Sequence, residues 1–251
     1  MTHPYFDHPG PIAVAHRGGA GVEPENTMRA FRRAVDAGYR WLETDVHATS
    51  DGVVVAFHDP TLDRVTDRGG RIRDLAWADV SGARVAGTEP IPRLTDLLEA
   101  FPDARFSIDP KHDSAVDALV RDLRTTDALD RVCLGAFSDL RLRRLRRELG
   151  DRACIGLGPV AAGALGIRAR GIPVPLPSAD CVQPPLRVGS RRVVDRRYVQ
   201  TAHREGLSVS VWTVDEIDDM EFALDAGVDA IITDHPERLR AVLERRGQWF
   251  D

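Results

Sequence analysis

The sequence predicts an α/β fold, a (β/α)8 TIM barrel with an insertion after the second strand region. Apolar segments alternate with amphipathic helical patterns along the chain, which favours parallel strands joined by crossover helices. Eight such units can be counted in 251 residues, a length typical of one barrel. A doubly wound sheet is the alternative fold, but no G-x-G-x-x-G motif opens any predicted helix.

Short runs of apolar and β-branched residues predict the strands, and periodic apolar residues predict the helices between them. The predicted strands lie near 12–16, 41–47, 53–58, 105–109, 131–137, 153–157, 180–183, 208–214 and 230–234, with 53–58 counted as an extension of the second. The predicted helices lie near 26–37, 95–101, 114–124, 138–149, 160–168, 195–205, 216–225 and 236–246. Asn26 is the expected N-cap of the first helix and Asp234 that of the last.

The segment from 59 to 94 interrupts this alternation. Connections of 2–6 residues are usual between a strand and the next helix, whereas about 35 residues stand here, rich in Asp, Gly and Arg. One short helix is predicted at 74–81, with Asp74 as its cap. Ordered insertions of this length usually build or cover a functional site. We therefore expect one barrel domain over residues 1–251, with the insertion at about 59–94.

Composition and charge exclude several classes of protein. The net charge of −5 gives no reason to expect nucleic acid as a partner, and no apolar run predicts a membrane span. Residues 1–7 have neither a basic segment nor an apolar core, so we expect no signal peptide. Cys133, Cys154 and Cys181 are far apart in the sequence and lack histidines at metal-binding spacing. They are expected to be buried thiols of a cytoplasmic protein. No feature predicts an oligomeric state.

A glycine-rich turn after the first strand is the first candidate for chemistry. The strand leads into His16 and Arg17, followed by two glycines. Imidazole exchanges protons near pH 7, and guanidinium binds phosphate or carboxylate oxygens. The glycines allow the backbone to approach a ligand closely. A turn with a purely structural role is the alternative interpretation.

The second strand carries two acidic residues on one face. Glu43 and Asp45 are two positions apart, and alternate side chains of a strand point to the same side. Two adjacent carboxylates repel each other and need a proton or a cation. Oxygen ligands of this kind suit Mg²⁺ or Ca²⁺. The strand near 105–109 adds Asp109 as a third candidate ligand, and a solvated carboxylate pair is the alternative.

Three further candidates lie at predicted strand ends. Lys111 shares a strand face with Asp109 and is the one lysine among 34 basic residues, which favours a specific role for its ammonium group. His58 ends an apolar strand directly before the insertion and is a candidate for a second proton-transfer group. Trp212 belongs to the strand near 208–214, where it is either a wall of the substrate site or part of the core.

The order and density of these motifs along nearly the whole chain resemble the glycerophosphodiester phosphodiesterase family. The matching segments are His16-Arg17-Gly18, Pro24-Glu25-Asn26-Thr27, Glu43-x-Asp45-Val46, Asp51-Gly52-Val53, His58-Asp59, Leu62-x-Arg64-x-Thr66, Asp109-x-Lys111, Trp212-Thr213-Val214, Gly227-Val228-Asp229 and Thr233-Asp234. The resemblance implies a TIM barrel, a divalent metal ion, and hydrolysis of small-molecule glycerophosphodiesters to glycerol 3-phosphate and an alcohol.

The resemblance also implies roles for eight residues of this sequence. The implied metal ligands are Glu43, Asp45 and Asp109, the acid–base pair is His16 and His58, and the substrate-binding residues are Arg17, Lys111 and Trp212. Two positions depart from the family pattern: Asp109 stands where the third ligand is usually Glu, and Ala136-Phe137 stands where Ser-Phe is common. The Asp-x-Lys arrangement is also similar to that of the related phospholipase D toxins.

Two alternative functions remain open at the level of sequence. The first is a phospholipase D-like activity on lysophospholipids, which would use the same chemistry. The absence of an exposed apolar helix in the sequence favours a soluble substrate over a lysolipid. The second is a non-catalytic barrel that binds a phosphate ligand, which is disfavoured because all implied acid, base and metal positions are filled.

Overall fold

The computed structural model describes residues 3–250, in which strands and helices alternate as the sequence predicts. The strands are β1 (Ile12–Ala15), β2 (Trp41–Ala48), β3 (Val54–Ala56), β4 (Arg84–Val85), β5 (Glu89–Pro90), β6 (Arg105–Pro110), β7 (Val132–Leu134), β8 (Cys154–Leu157), β9 (Cys181–Val182), β10 (Arg187–Val188), β11 (Arg191–Arg192), β12 (Ser208–Val211) and β13 (Ala230–Thr233). Residues 1, 2 and 251 of the expected domain lie outside the described residues, and the first two also belong to the segment considered for a signal peptide.

The helices follow the strands along the chain. The α-helices are α1 (Met28–Asp36), α2 (Trp77–Val80), α3 (Leu94–Ala100), α4 (Val116–Thr125), α5 (Asp139–Leu149), α6 (Pro159–Arg168), α7 (Arg196–Arg204), α8 (Ile217–Ala226) and α9 (Pro236–Arg245). Single turns of 3-10 helix include Pro4–Phe6 and His16–Gly18. No helix within residues 3–250 has both the length and the apolar character needed to cross a membrane.

Eight parallel strands form a closed barrel, which confirms the predicted TIM-barrel fold. Around the ring the order is β1, β2, β6, β7, β8, β9, β12 and β13, and β13 pairs in turn with β1. Closure leaves the barrel with no open sheet edge. The strand β3 turns back antiparallel to the end of β2, with Val55 opposite His47, so 53–58 does extend the second strand region as predicted.

The predicted N-cap of the first helix is wrong by one residue. Thr27 caps α1, and its Oγ1 accepts a hydrogen bond of 3.2 Å from the Ala30 amide. Asn26 instead has a φ of 56° and is buried, and its side chain contacts two residues of β2. Its Oδ1 accepts from the Thr44 hydroxyl at 2.8 Å, and its Nδ2 donates to Asp45 at 3.4 Å. Asn26 therefore supports the acidic strand rather than the helix.

Two other predicted caps are also wrong. The position before α9 is occupied by His235, and the carboxylate of Asp234 turns away from the helix toward His16. The short helix of the insertion is α2, which starts after Ala76, so Asp74 lies three residues before its first turn. The strands predicted at 131–137 and 208–214 end earlier, at Leu134 and Val211, and their remaining residues form connecting loops.

The barrel interior changes from apolar to polar along the strands. At the amino-terminal end, Tyr5 and Phe6 plug the barrel, and the Trp41 indole donates a hydrogen bond of 3.1 Å to the Tyr5 carbonyl. Toward the carboxyl ends of β2 and β6, the interior positions are Glu43, Asp45, Ser107 and Asp109. The outer layer between strands and helices is a separate, larger apolar core. The barrel therefore has an apolar floor and a polar rim.

The insertion after β3 has its own small core. Phe57, Leu62, Ile72, Val80 and Val85 pack together with other buried apolar residues, and β4 pairs antiparallel with β5. This packing fixes the insertion as an ordered cover beside the carboxyl ends of the first two barrel strands.

Candidate active site

All eight residues singled out from the sequence line one cavity at the carboxyl ends of the barrel strands. The cavity has a volume of about 740 Å³. Its wall includes His16, Arg17, Glu43, Asp45, His58, Asp109, Lys111 and Trp212. In TIM barrels this end of the strands is where catalytic groups converge.

The turn after β1 brings its main chain onto the acidic strand. Arg17 adopts a left-handed φ of 50°, a strained conformation for a residue other than glycine. Its amide thereby donates to Glu43 Oε2 at 3.1 Å. Gly18 follows with a φ of 83°, and a Cβ there would lie 2.8 Å from the backbone nitrogen of Phe31. Only glycine fits this turn, which packs against α1.

His16 forms a dyad with Asp234 from the end of β13. Its Nδ1 lies 2.7 Å from Asp234 Oδ1, and its Nε2 lies 3.7 Å from Glu43 Oε2. Because the Asp234 carboxylate accepts a hydrogen bond from Nδ1–H, Nε2 is the nitrogen free to exchange a proton with a substrate. Burial lowers the pKa of His16, but the negative charge of Glu43 and the hydrogen bond to Asp234 outweigh it and raise the pKa above its usual value.

His58 forms a second dyad with the residue that follows it. Its Nδ1 lies 2.6 Å from Asp59 Oδ1, which again leaves Nε2 free, and its side chain is 35% exposed. Arg64 of the insertion donates to both Asp59 and Glu25. Hydrogen bonding from Arg64 lowers the pKa of Asp59 to about 2, so this carboxylate stays charged as the partner of His58. The insertion therefore helps to orient the second imidazole.

The acidic side chains are closely paired with the two cations of the site. Lys111 Nζ lies 2.6 Å from Asp45 Oδ1 and 2.6 Å from Asp109 Oδ2, and Arg17 Nε lies 2.9 Å from Asp45 Oδ2. Burial would raise the pKa of Asp45, but Lys111 and Arg17 hold it below its usual value. Glu43 lacks such a partner, and burial together with the charge of Asp45 raises its pKa to about 7.

The donor set at the rim fits a hard divalent cation in its chemistry. Glu43, Asp45 and Asp109 offer carboxylate oxygens, and Asp109 Oδ1 is buried with no hydrogen-bond partner among the described residues. Burial also raises the pKa of Asp109, so its charge needs a further cation. In the described part of the chain, no three oxygens taken one from each carboxylate lie within 4.8 Å of one another. The Lys111 ammonium instead bridges Asp45 and Asp109. The three carboxylates therefore match a hard cation in their chemistry, and their spacing in this structure is that of a lysine-bridged cluster.

The other half of the cavity is apolar. Leu157, Ile167 and Val188 line it, and Phe137 and Trp212 meet edge to face with ring centroids 5.5 Å apart. The Trp212 indole donates a hydrogen bond to the Gln183 carbonyl, and the ring also packs against the interior core. Trp212 therefore lines the cavity and also packs against the core, and its role in binding substrate stays a prediction. Phe137, which follows the departing residue Ala136, is 65% exposed.

Sequence reasoning missed the carboxylate partners of the two histidines. The sequence predicts that Asp234 caps the last helix, and it indicates Asp59 only as part of a family motif. Asp59 could have been found because it directly follows His58, whereas Asp234 is 218 residues from His16 and meets it only through barrel closure. Arg64, which joins Asp59 to Glu25, was likewise only a motif position.

Comparison with known proteins agrees with the fold. The model of the glycerophosphoryl diester phosphodiesterase family matches residues 16–155 and 166–238. A Mycobacterium tuberculosis protein named probable glycerophosphodiester phosphodiesterase 2 is 41% identical over 255 residues, covering 99% of this chain and 96% of its own. A human lysophospholipase D is 28% identical over 267 residues, covering 92% of this chain and 85% of its own.

A solved structure shares the fold. It is a phosphodiesterase from Oleispira antarctica in complex with the product sn-glycerol-3-phosphate. The alignment covers 94% of this chain and 97% of that one, with 22% identity and a TM-score of 0.79.

The barrel, with histidines, carboxylates and cations at its carboxyl-terminal rim, defines a TIM-barrel enzyme with a site for a phosphate ester. The chain belongs to the glycerophosphoryl diester phosphodiesterase family. It is accordingly a phosphoric diester hydrolase, and a non-catalytic barrel is no longer an alternative.

Proposed function

We propose that this enzyme is a metal-dependent hydrolase that cleaves glycerophosphodiesters to glycerol 3-phosphate and an alcohol. The observation that carries the proposal is the pair of histidine–aspartate dyads, each leaving Nε2 free, in one cavity with three carboxylates and two cations. Members of this family generally depend on a divalent metal ion. The Oleispira antarctica neighbour, which binds sn-glycerol-3-phosphate, supports this product.

Charge neutralisation is the first task of such a site. A divalent ion, Mg²⁺ or Ca²⁺, held by Glu43, Asp45 and Asp109 would supply a Lewis acid for the phosphoryl oxygens. Arg17 and Lys111 provide fixed positive charge beside it and are free to bind phosphate oxygens when the carboxylates bind the ion. Groups of this kind typically contribute several kcal/mol to stabilising the transition state.

Proton transfer is the second task, and the two histidines divide it. One Nε2 removes the proton from the attacking oxygen, and the other delivers a proton to the leaving alkoxide, each step being worth roughly 10²–10⁴-fold. Asp234 and Asp59 hold the two rings with Nδ1 protonated, so that Nε2 of each faces the cavity. The attacking oxygen is either water or a neighbouring glycerol hydroxyl, which would give a cyclic intermediate.

The experiment that tests this proposal combines two variants with metal removal. His16→Ala and His58→Ala should each abolish hydrolysis of glycerophosphocholine while retaining the wild-type circular dichroism spectrum and melting temperature within a few degrees. His203→Ala is a matched control, because His203 also pairs with an aspartate, at 2.8 Å, but lies outside the cavity. Wild-type turnover in either site variant, or activity that EDTA does not reduce, would contradict the proposal.

A second candidate function is favoured by the apolar half of the cavity. Ile167 of α6 is 46% exposed, Val188 61% and Phe137 65%, and all three line the cavity. The sequence predicts no exposed apolar helix, and α6 exposes two large apolar side chains, Val160 and Ile167. Apolar groups there suit the acyl chain of a lysophospholipid. The human relative named lysophospholipase D supports the same possibility.

Product analysis separates the two substrate classes. The enzyme is given glycerophosphocholine and lysophosphatidylcholine at equal concentration, and kcat/KM is compared. An Ile167→Ser variant should lower kcat/KM for lysophosphatidylcholine alone if the acyl chain occupies the apolar half. An equal effect on both substrates, or none, would exclude that placement of the chain.

Two broader features complete the proposal. Residues 1–251 are proposed to form one domain, because the insertion packs onto the barrel strands and its arginine reaches the site. One cooperative unfolding transition should therefore be seen. A cytoplasmic location is proposed because the three cysteines are free thiols, as expected in a reducing compartment.

A further inference from the structure

Three cysteines meet on the floor of the barrel, below the proposed catalytic site. Cys133, Cys154 and Cys181 are fully buried, and their sulfur atoms all lie within 4.8 Å of one another. The Cys133 and Cys181 sulfurs are 3.5 Å apart. The sequence predicts three buried thiols but not their proximity, because 48 residues separate the first from the last.

Strand register explains why residues so distant in sequence converge. Cys133 of β7 lies opposite Cys154 of β8, and Cys181 of β9 lies opposite Gly156, two positions further along β8. Alternate positions of a strand share a face, so all three side chains point into the barrel. Gly156 leaves room there, since a Cβ on it would lie 3.4 Å from the Cys181 sulfur.

The arrangement is unsuited to a disulfide between Cys133 and Cys181. Their strands are separated by β8, and two strand spacings place the Cα atoms roughly 9 Å apart, beyond the reach of about 7 Å for a disulfide. The separations between the three sulfur atoms, by contrast, suit three ligands of one ion. Zinc–thiolate bonds of about 2.3 Å place sulfurs about 3.8–4.0 Å from one another around the ion.

An independent observation in the same layer also points to a ligand. Ser208 of β12 lies opposite Cys181 and therefore also faces the interior. Its side chain is 2% exposed, and its Oγ has no hydrogen-bond partner among the described residues. Buried hydroxyls without a partner are uncommon, because the lost hydrogen bond is costly. A ligand bound in this layer of the barrel would provide that partner.

We propose that Cys133, Cys154 and Cys181 form a structural binding site for one thiophilic divalent ion such as Zn²⁺, separate from the carboxylates of the catalytic site. Each coordinating thiol releases its proton to solvent as its metal–sulfur bond forms, and no electron is transferred. Three thiolates and one divalent ion leave a net charge of −1 at the site. Soft sulfur ligands select such an ion over Mg²⁺ or Ca²⁺.

Cadmium is a suitable probe, because its thiolate complexes absorb in the ultraviolet. The full chain is reduced, unfolded and refolded with one equivalent of Cd²⁺ in excess Mg²⁺, then passed through EDTA and a desalting column. We expect one retained equivalent and a thiolate-to-cadmium charge-transfer band. At a free Cd²⁺ concentration 100 times the Kd, alkylation of the three thiols should slow by about 100-fold.

Two sets of variants decide where the ion binds. Cys133→Ser, Cys154→Ser and Cys181→Ser should each lose the retained ion and the band, and the corresponding alanine variants replace any serine variant that fails to fold. Glu43→Gln should keep both, because it alters only the carboxylate site. Retention by the cysteine variants, loss in Glu43→Gln, or a wild-type protein that retains no ion would overturn the proposal.

Discussion

Replacing Asp234 with asparagine tests whether this carboxylate fixes the working tautomer of His16. Asp234 Oδ1 lies 2.7 Å from His16 Nδ1, and its side chain is 27% exposed. The substitution removes one charge without changing size, and the amide group can donate to Nδ1 where the carboxylate could only accept. The proton would then move to Nε2, and the nitrogen facing the cavity could no longer accept one.

The expected loss follows from the contact that is removed. A hydrogen bond to a charged group contributes about 1.5–3 kcal/mol, which corresponds to about 10- to 150-fold in kcat if it acts fully in the transition state. Where an asparagine amide holds the wrong tautomer, the loss reaches about 10⁴-fold in a comparable triad. The pKa of His16 should also fall, because Asp234 helps to raise it.

The assay measures kcat for glycerophosphocholine between pH 5 and 9, together with the titration of the His16 ring by NMR. Asp229→Asn is the matched control, because Asp229 pairs with His203 at 2.8 Å and supports the Val209 amide at 2.7 Å, away from the cavity. It should lower stability and leave kcat unchanged. If Asp234→Asn keeps wild-type kcat across this pH range, the assignment of the dyad is refuted.

Three further predictions concern the charges around the dyads. Lys111→Met should lower kcat by roughly 10²–10³-fold, the loss typical when a hydrogen-bond donor to the transition state is removed. Lys111→Arg should restore little of this kcat, and steady-state kinetics measures both variants. In metal-free folded protein the pKa of the Glu43 carboxyl is about 7, whereas its usual value in the unfolded chain is 4.5. Between these two pH values the folded protein holds a proton that the unfolded chain has lost. The free energy of unfolding, measured with urea, should therefore fall by about 3 kcal/mol as the pH rises through this range. Addition of Mg²⁺ should abolish this pH dependence. Arg64→Ala should lower kcat by no more than about fivefold, since Arg64 is 48% exposed, and a larger loss would mean that the insertion has another role.

The fold follows from local patterns and is largely predictable from the sequence. Short apolar runs such as Ile12–Ala15 and Cys154–Leu157, each followed by a helical pattern, are typical of buried parallel strands. Helix starts are less predictable where two capping residues are adjacent. Asn26 and Thr27 are both good N-caps, and only the contacts of Asn26 with β2 decide between them.

The candidate site is predictable only in part, because barrel closure brings distant residues together. Glu43 and Asp45 are neighbours on one strand, so strand periodicity suffices to place them on one face. The pairing of His16 with Asp234 depends on β1 meeting β13, which no local pattern contains. The same reason applies to the cysteines, whose convergence depends on the register of three strands.

The central claim is that the rim of this barrel hydrolyses a glycerophosphodiester at the bond to the alcohol. Its most direct test is identification of the products that the wild-type enzyme releases from glycerophosphocholine with Mg²⁺ or Ca²⁺ present. Glycerol 3-phosphate and choline are expected in equal amounts, and neither product is expected after EDTA treatment. Release of glycerol and phosphocholine, or turnover that persists without a divalent ion, would contradict it.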